Sequence, residues 1–272
     1  LECCVFPLTG TPPTTEDGWL KVFATARDWG LNHLRFHSYC PPEAAFRVAD
    51  RMGFYLQVEL PCWSLNIGRD KEVELFLRRE FDNIVANYGN HPSLCLVSCG
   101  NELQSDFTVL NSMVRDMKQK DPRHLYSTTT FTFERGHGGH PEPEDQFFVT
   151  QRTDSGWVRG QGVFDAERPS FEKDYAASVG TPSVPLISHE IGQYAVYPNV
   201  REIEKYTGVL DPLNFKAVRD DLRDKGLLKL ADDFFDASGR FAAILYKEEV
   251  ERALKTPGFS GFPLLGLQDL PG

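Results

Sequence analysis

The chain has no run near the roughly 18 apolar residues that a membrane-spanning helix requires. Basic charge is the scarcer kind: Lys plus Arg number 29 against 39 Asp plus Glu, a formal charge of −10. Without a basic cluster, neither nucleic acid nor a membrane surface is an expected partner. The 6 cysteines, Cys3, Cys4, Cys40, Cys62, Cys95 and Cys99, include no C-x-x-C pair and no zinc-ligand spacing. No metal or cofactor is therefore expected, and buried thiols rather than disulfides are the expected state. Cys95 and Cys99, four apart on one predicted strand, should share a core face. No G-x-G-x-x-G follows the first strand, which removes the dinucleotide-binding doubly wound sheet. No fixed-period repeat or low-complexity linker divides the chain.

What is present is a regular alternation of apolar runs and amphipathic stretches. A strand near residues 1–8 precedes a helix near Glu16–Trp29, with Trp19, Leu20, Phe23, Ala24 and Ala26 at helical spacing and Gly30 at its end. A strand over 32–37 leads to the helix Glu43–Met52, opened by Pro41-Pro42 and stopped by Gly53. The strand 54–60, the helix Lys71–Tyr88 closed by Gly89, and the strand 94–99 follow. Then come a helix near 106–120 and a strand near 125–133. The polar ERGHGGHPEPED stretch is a loop, followed by strand candidates near 147–150 and 157–162. A helix over 171–179, a strand over 184–188, helices through much of 200–254 and a strand over 259–267 complete the series. Strands apolar throughout belong to a parallel sheet buried on both faces. About eight of them, mostly separated by helices, predict an α/β fold of the (β/α)8 TIM-barrel type as a single domain over residues 1–272.

Both ends read as strands: LECCVFPLTG lacks the order of a secretory leader, and GFPLLGLQDLPG runs off the end of the chain. The expectation is a barrel truncated at one or both ends, a piece of something longer. Uncovered apolar strand surface would then favour low stability or self-association.

In such a barrel, function gathers at the C-terminal ends of the strands. Those ends carry Arg35, His37 and Tyr39 after the second strand, and Glu59 and Trp63 after the third. The fourth delivers Asn101 and Glu102, the seventh His189 and Glu190, and the eighth Gln268 and Asp269, with Trp157 among further rim candidates. Carboxylates, amides and aromatic rings converging at one rim suit sugar binding and glycosidic cleavage, in which a carboxyl pair does the acid–base and nucleophilic work.

Three segments carry a family resemblance. NHLRFHSYCPPEAAFRVADRMGFYLQVELP, NHPSLCLVSCGNE and PLISHEIGQY stand in the order found in glycoside hydrolase family 2, the β-galactosidase and β-glucuronidase family, and resemble its catalytic barrel over nearly the whole chain. The resemblance implies that Glu102 is the general acid/base and Glu190 the nucleophile of a retaining exo-glycosidase acting on oligo- or polysaccharides. It also implies substrate-binding roles at the rim and a bacterial periplasmic or secreted setting. The family's two N-terminal β-sandwich domains have no counterpart here. Val97 stands where the family usually has Trp, and Phe36-His37-Ser38-Tyr39 rearranges its usual Ser-His-Tyr, marking a divergent branch. Asn214-Phe215-Lys216 resembles the Asn-x-Lys of β-glucuronidases but precedes the eighth strand instead of following it. A retaining pair must sit about 5–5.5 Å apart, and the charge of Glu190 should raise the pKa of Glu102.

Two other readings compete. One is a non-catalytic carbohydrate-binding barrel fragment. The other is a metal-dependent hydrolase built on His137 and His140, which would need further ligands on adjoining strand ends.

Overall fold

The computed structural model describes residues 2–3, 6, 8–63, 65–164, 167–168 and 170–267. Helix α1 (Glu16–Asp28) starts where the Thr15 hydroxyl accepts from the Gly18 N–H, and buries Trp19, Phe23 and Ala26 while leaving Leu20 exposed. Strand β2 (His33–Phe36) feeds α2 (Glu43–Met52), which ends at Gly53 in the left-handed conformation. Strand β3 (Tyr55–Glu59) precedes α3 (Lys71–Tyr88), capped by the Asp70 carboxylate. Strand β4 (Leu94–Ser98) precedes α4 (Phe107–Lys120), capped in the same way by Asp106.

With β1 (Glu2–Cys3) and β5 (Leu125–Ser127), these strands form a five-stranded parallel sheet in sequence order, β1-β2-β3-β4-β5. A second parallel sheet joins β6 (Phe148–Thr150), β9 (Leu186–Ser188) and β10 (Phe259–Gly261) in the order β6-β9-β10. Thr130 bridges both, pairing in parallel with Asn101 on one side and with Val149 on the other. From β1 to β5 the connections are βαβ crossovers, so the α1–α4 helices cover those strands and the core packs between them. Trp19, Phe23, Phe36, Phe46, Leu56 and Phe81 are among its members, and Leu264 and Leu267 pack against the same cluster.

Several expectations are corrected. The ladder between β3 and β4 shifts register so that Cys95 is the extra residue. This bulge takes Cys95 off the core face, leaving it half-buried while Cys99 is fully buried. The expected strand at 157–162 is instead the short antiparallel hairpin β7–β8 (Arg152–Thr153 with Gly156–Trp157) followed by a 3-10 turn at Gly160–Gly162. Its Thr153-Asp154-Ser155-Gly156 turn chemistry outweighs the apolar run that follows. The helix expected over 171–179 shortens to α5 (Ala176–Val179). Between β9 and β10 lie a 3-10 segment (Val200–Lys205), α6 (Leu213–Asp224), a 3-10 turn (Leu228–Leu230) and the long α7 (Ala231–Lys255). The last strand covers only Phe259–Gly261, with Leu264 in an isolated bridge to Ile191. Half of the first predicted strand, residues 1, 4, 5 and 7, and the expected rim residue Asp269 fall outside the described residues.

Candidate active site

Arg35, at the C-terminal end of β2, is fully buried and organises the floor of the site. Its Nε donates to Glu59 Oε1 (2.7 Å) and its Nη1 to Glu190 Oε1 (3.2 Å). Nη2 donates to Thr130 Oγ1 (3.0 Å) and to Asn101 Oδ1. Glu59 also accepts from the Thr130 hydroxyl (2.7 Å) and, through Oε2, from the Ser38 N–H (2.8 Å). A buried guanidinium shared among two carboxylates and an amide oxygen satisfies the carboxylates that burial would otherwise penalise, while the Asn101 amide nitrogen stays buried without a hydrogen-bond partner among the described residues. Arg35→Met leaves Glu59 and Glu190 buried without the cation they share, so a loss of about 3–5 kcal/mol is expected. Calorimetric unfolding should show it as a fall of roughly 10 °C in Tm.

The backbone marks the same place. Among the described residues, the non-glycine residues with positive φ are Ser38, Glu102, Phe131 and Glu190, and each lies just past a parallel strand or its bridge continuation. Left-handed backbone costs such residues about 1–3 kcal/mol and persists where the surroundings fix it, which is typical of functional sites. The glycine before Asn101-Glu102 has its own reason. A Cβ at Gly100, where φ is 155°, would lie 2.3 Å from the Cys62 carbonyl oxygen.

Glu102 and Glu190 meet across the mouth. One ligand atom from each of Glu102, His189 and Glu190 lies within 4.8 Å of the others. Their surroundings push the two carboxyls apart in acidity. Burial, then the charge of Glu190, raise Glu102 to about 7. Burial opposes ionisation of Glu190 as well, but His189, Arg35 and His37 around it hold its carboxyl below the ordinary glutamate range. Gln193 adds a bond from Nε2 to Glu190 Oε2 (3.0 Å). The fully buried His189 is lowered by desolvation, so it stands neutral. Its Nε2 faces two acceptors, Asn101 Oδ1 and Glu190 Oε1, both at 3.1 Å, and carries the proton. Nδ1 then accepts from Gln151 Nε2 (3.2 Å), whose other hydrogen reaches Glu102 Oε1 (3.3 Å). Gln151 thus couples the two sides of the site.

A cavity of about 550 Å³ opens above this floor, lined by Glu102, Glu190, Gln151, Trp157 and Arg159 among others. Of the residues expected from sequence, Arg35, Glu59, Asn101 and His189 form the buried layer beneath it, and Trp157 stands on its wall from the β7–β8 hairpin. His37 and Trp63 pack edge to face with centroids 5.0 Å apart on the rim beside it, and neither lines the cavity.

Gln151, Arg159 and Gln193 were not expected. Gln151 follows β6 directly, so reading that strand's C-terminal end would have found it. Arg159 had no strand end to announce it; its Nη1 donates to the carbonyls of His189 (3.3 Å) and Glu190 (3.2 Å). Glu249, buried on α7, was also unforeseen. It accepts from the N–H groups of Gly160 and Gly192 (2.9 Å to the latter) and from the Tyr194 hydroxyl (2.7 Å). It therefore ties down both the segment carrying Arg159 and the one carrying Glu190. Gly192, at φ 82°, is required there because a Cβ would meet the Tyr246 ring at 2.1 Å. As a positioning residue, Glu249 should be sensitive to loss of one acceptor. Glu249→Gln is expected to lower kcat by roughly ten- to a hundredfold with the fold retained and the Glu102 ionisation near pH 7 unmoved.

The other candidate centre does not assemble. His137 stacks on Phe107 and bonds Glu142 (2.6 Å), whereas the exposed His140 bonds Asp154 (2.9 Å). Among the described residues the one group with metal-ligand spacing is Glu102, His189 and Glu190. There both imidazole nitrogens already have protein partners, and a cation would have to displace them.

No family model matches this chain, and no curated protein sequence does. Solved structures do. A GH2 β-galacturonidase from Eisenbergiella tayi bound to galacturonate aligns over 91% of this chain at 16% identity, with a TM-score of 0.58. A β-D-mannosidase from Dictyoglomus thermophilum aligns over 96% at 13% identity, TM-score 0.58. A β-glucuronidase from an uncultured Clostridium sp. aligns over 92% at 13% identity, TM-score 0.56. The alignments span 40%, 34% and 40% of those proteins, respectively. At such identities the likeness is one of fold: this chain has the α/β, parallel-stranded fold of family 2 glycosidases.

Proposed function

We propose that the chain is the catalytic (β/α)8 barrel of a retaining exo-glycosidase of the family 2 kind, cleaving terminal sugars from oligo- or polysaccharides. The observation that carries this reading is the pairing of Glu102 and Glu190 within 4.8 Å, one raised to about 7 and the other held ionised. Inverting enzymes hold their carboxyls roughly 6.5–9.5 Å apart to seat a water, and an approach of one oxygen of each glutamate to within 4.8 Å favours the closer, retaining arrangement. Barrel closure is supported by eight parallel strands following one another in sequence order, and by Leu264 and Leu267 packing on the core that holds Cys3 of β1.

In the first step the Glu190 carboxylate attacks the anomeric carbon while the glycosidic bond breaks. Glu102 gives its proton to the departing oxygen. Arg35 and His189 hold Glu190 in place, and the neutral His189 takes no proton from it. Once Glu190 is esterified its charge is gone, so the electrostatic pressure on Glu102 falls and its pKa drops. It then accepts a proton from the water that releases the sugar.

A panel of nitrophenyl glycosides, including galactosides, glucosides, mannosides and uronides, tests the reading, run with and without a chelator. Hydrolysis of at least one member, undiminished by chelation, is expected. Sugar binding without turnover of any member would instead mark a non-catalytic carbohydrate-binding barrel, and loss with chelator would indicate metal-dependent chemistry.

A further inference from the structure

Arg159 is 7% exposed and is the one cation among the described residues that line the catalytic cavity. The chain is extended there, with φ −145° and ψ 158° at Arg159. Alternation along the segment turns Trp157 and Arg159 to the cavity and Val158 to the apolar cluster with Tyr175 and Val179. A guanidinium buried this deeply is ordinarily paired with a carboxylate, as Arg35 is with Glu59 and Glu190. Arg159 differs. Its Nη1 donates to two backbone carbonyls, those of His189 and Glu190, and its Nε is buried with no hydrogen-bond partner among the described residues. No carboxylate among those residues forms an ion pair with it; Glu190, Glu249 and Glu102 act on it only through space. Carbonyl dipoles leave much of the desolvation cost of a full cation uncompensated. The cavity therefore holds a cation without a contact anion, on the wall it shares with the reacting pair.

We infer that Arg159 is a specificity residue whose missing counter-ion is an anionic substituent of the terminal sugar, the carboxylate of a uronic acid or a sulfate ester. The inference rests on the glycosidase reading and narrows its substrate class. The planar guanidinium fork matches the paired oxygens of either group. Burial keeps salt from screening the pair. A neutral sugar offers only hydroxyls, which can satisfy an N–H group but not the charge.

The test uses pairs of nitrophenyl β-glycosides that differ in one group: glucuronide against glucoside, galacturonide against galactoside, and sulfated galactoside against galactoside. Near pH 6 the carboxylates and sulfate are ionised while Glu102, raised to about 7, stays protonated. The readout is the ratio of kcat/KM for the anionic member to the neutral one. At least one ratio should exceed about ten in the unsubstituted protein, and the pair that shows it tells carboxylate from sulfate. Arg159→Gln should cut that ratio by roughly ten- to a hundredfold, the size of a lost charge-assisted hydrogen bond. Arg159→Lys should lower it severalfold, since a point charge replaces the fork. A merely structural Arg159, clamping the β9 end through its two carbonyls, would slow both members of a pair together and leave the ratio unmoved. That outcome, or a preference for the neutral member in every pair, would overturn the proposal while leaving the glycosidase reading intact. Should Arg159→Gln not fold, Arg159→Lys carries the test, and an unchanged ratio there is equally contrary. Calorimetry with the free sugars runs in parallel on the unsubstituted protein. Glucuronic acid, galacturonic acid or sulfated galactose should bind about tenfold tighter than its neutral parent. If no glycoside is hydrolysed, the glycosidase reading fails and calorimetry alone decides the anion site: equal affinities within every pair would refute it.

Discussion

Glu190→Gln should form no covalent glycosyl-enzyme and should lose activity by roughly three orders of magnitude or more. A neutral amide cannot attack the anomeric carbon as a carboxylate does. The surroundings make the contrast sharp: Arg35 Nη1 and Gln193 Nε2 both donate to the Glu190 oxygens. They stabilise an anion there, and the amide nitrogen of Gln would face one of these donors. Trapping with a 2-deoxy-2-fluoro glycoside, followed by mass spectrometry of the peptide containing residue 190, reads the result directly. A labelled peptide in the unsubstituted protein and none in Glu190→Gln is expected. A label on another residue would move the nucleophile elsewhere.

Glu102→Ala should fail differently. Its missing proton matters little when the leaving group is a nitrophenolate and greatly when it is a sugar alkoxide. Losses of about 10²–10⁴ are therefore expected on disaccharides and far smaller ones on the first step with nitrophenyl glycosides. Release of the bound sugar also slows, because the same residue activates water, and added azide should partly replace that attack. The pH profile carries a second signature. Burial and the nearby Glu190 charge raise Glu102 to about 7, and the first step needs it protonated. Activity on poor leaving groups should therefore be retained below that value and fall as pH rises through it. In Glu102→Gln, which holds no titrating proton, this alkaline limb should vanish. A limb that persists in the variant would assign it to another group.

The helices were legible where their ends carry chemistry. Pro41-Pro42 and Gly53 bracket α2, and Asp70 and Gly89 bracket α3, and both run between the limits the sequence implies. The strand expected over 125–133 was overdrawn because Thr-rich alternation reads as β structure whatever the backbone does. The ladder stops at Ser127; the Thr129 hydroxyl then bonds the Phe131 carbonyl (2.9 Å) and the chain turns into positive φ at Phe131. The buried floor of the site was legible because Arg35, Glu59, Asn101, Glu102, His189 and Glu190 all sit at or just beyond strand ends. Arg159 and Glu249 were not, since their roles depend on a hairpin and a long helix folding back onto the β9 end, contacts between distant segments that no local pattern encodes. Trp157 reached the cavity on the β7–β8 hairpin, where a barrel strand was expected.

The central claim is that Glu102 and Glu190 act as a retaining pair, and the anomer first released tests it most directly. Proton NMR of the anomeric region, recorded during the first minutes of hydrolysis and before mutarotation, follows that product on whichever β-glycoside the panel shows to be turned over. Two successive inversions at one carbon predict that the β-anomer appears first and the α-anomer only by later equilibration. Initial release of the α-anomer would contradict the assigned roles, even if both glutamates proved essential.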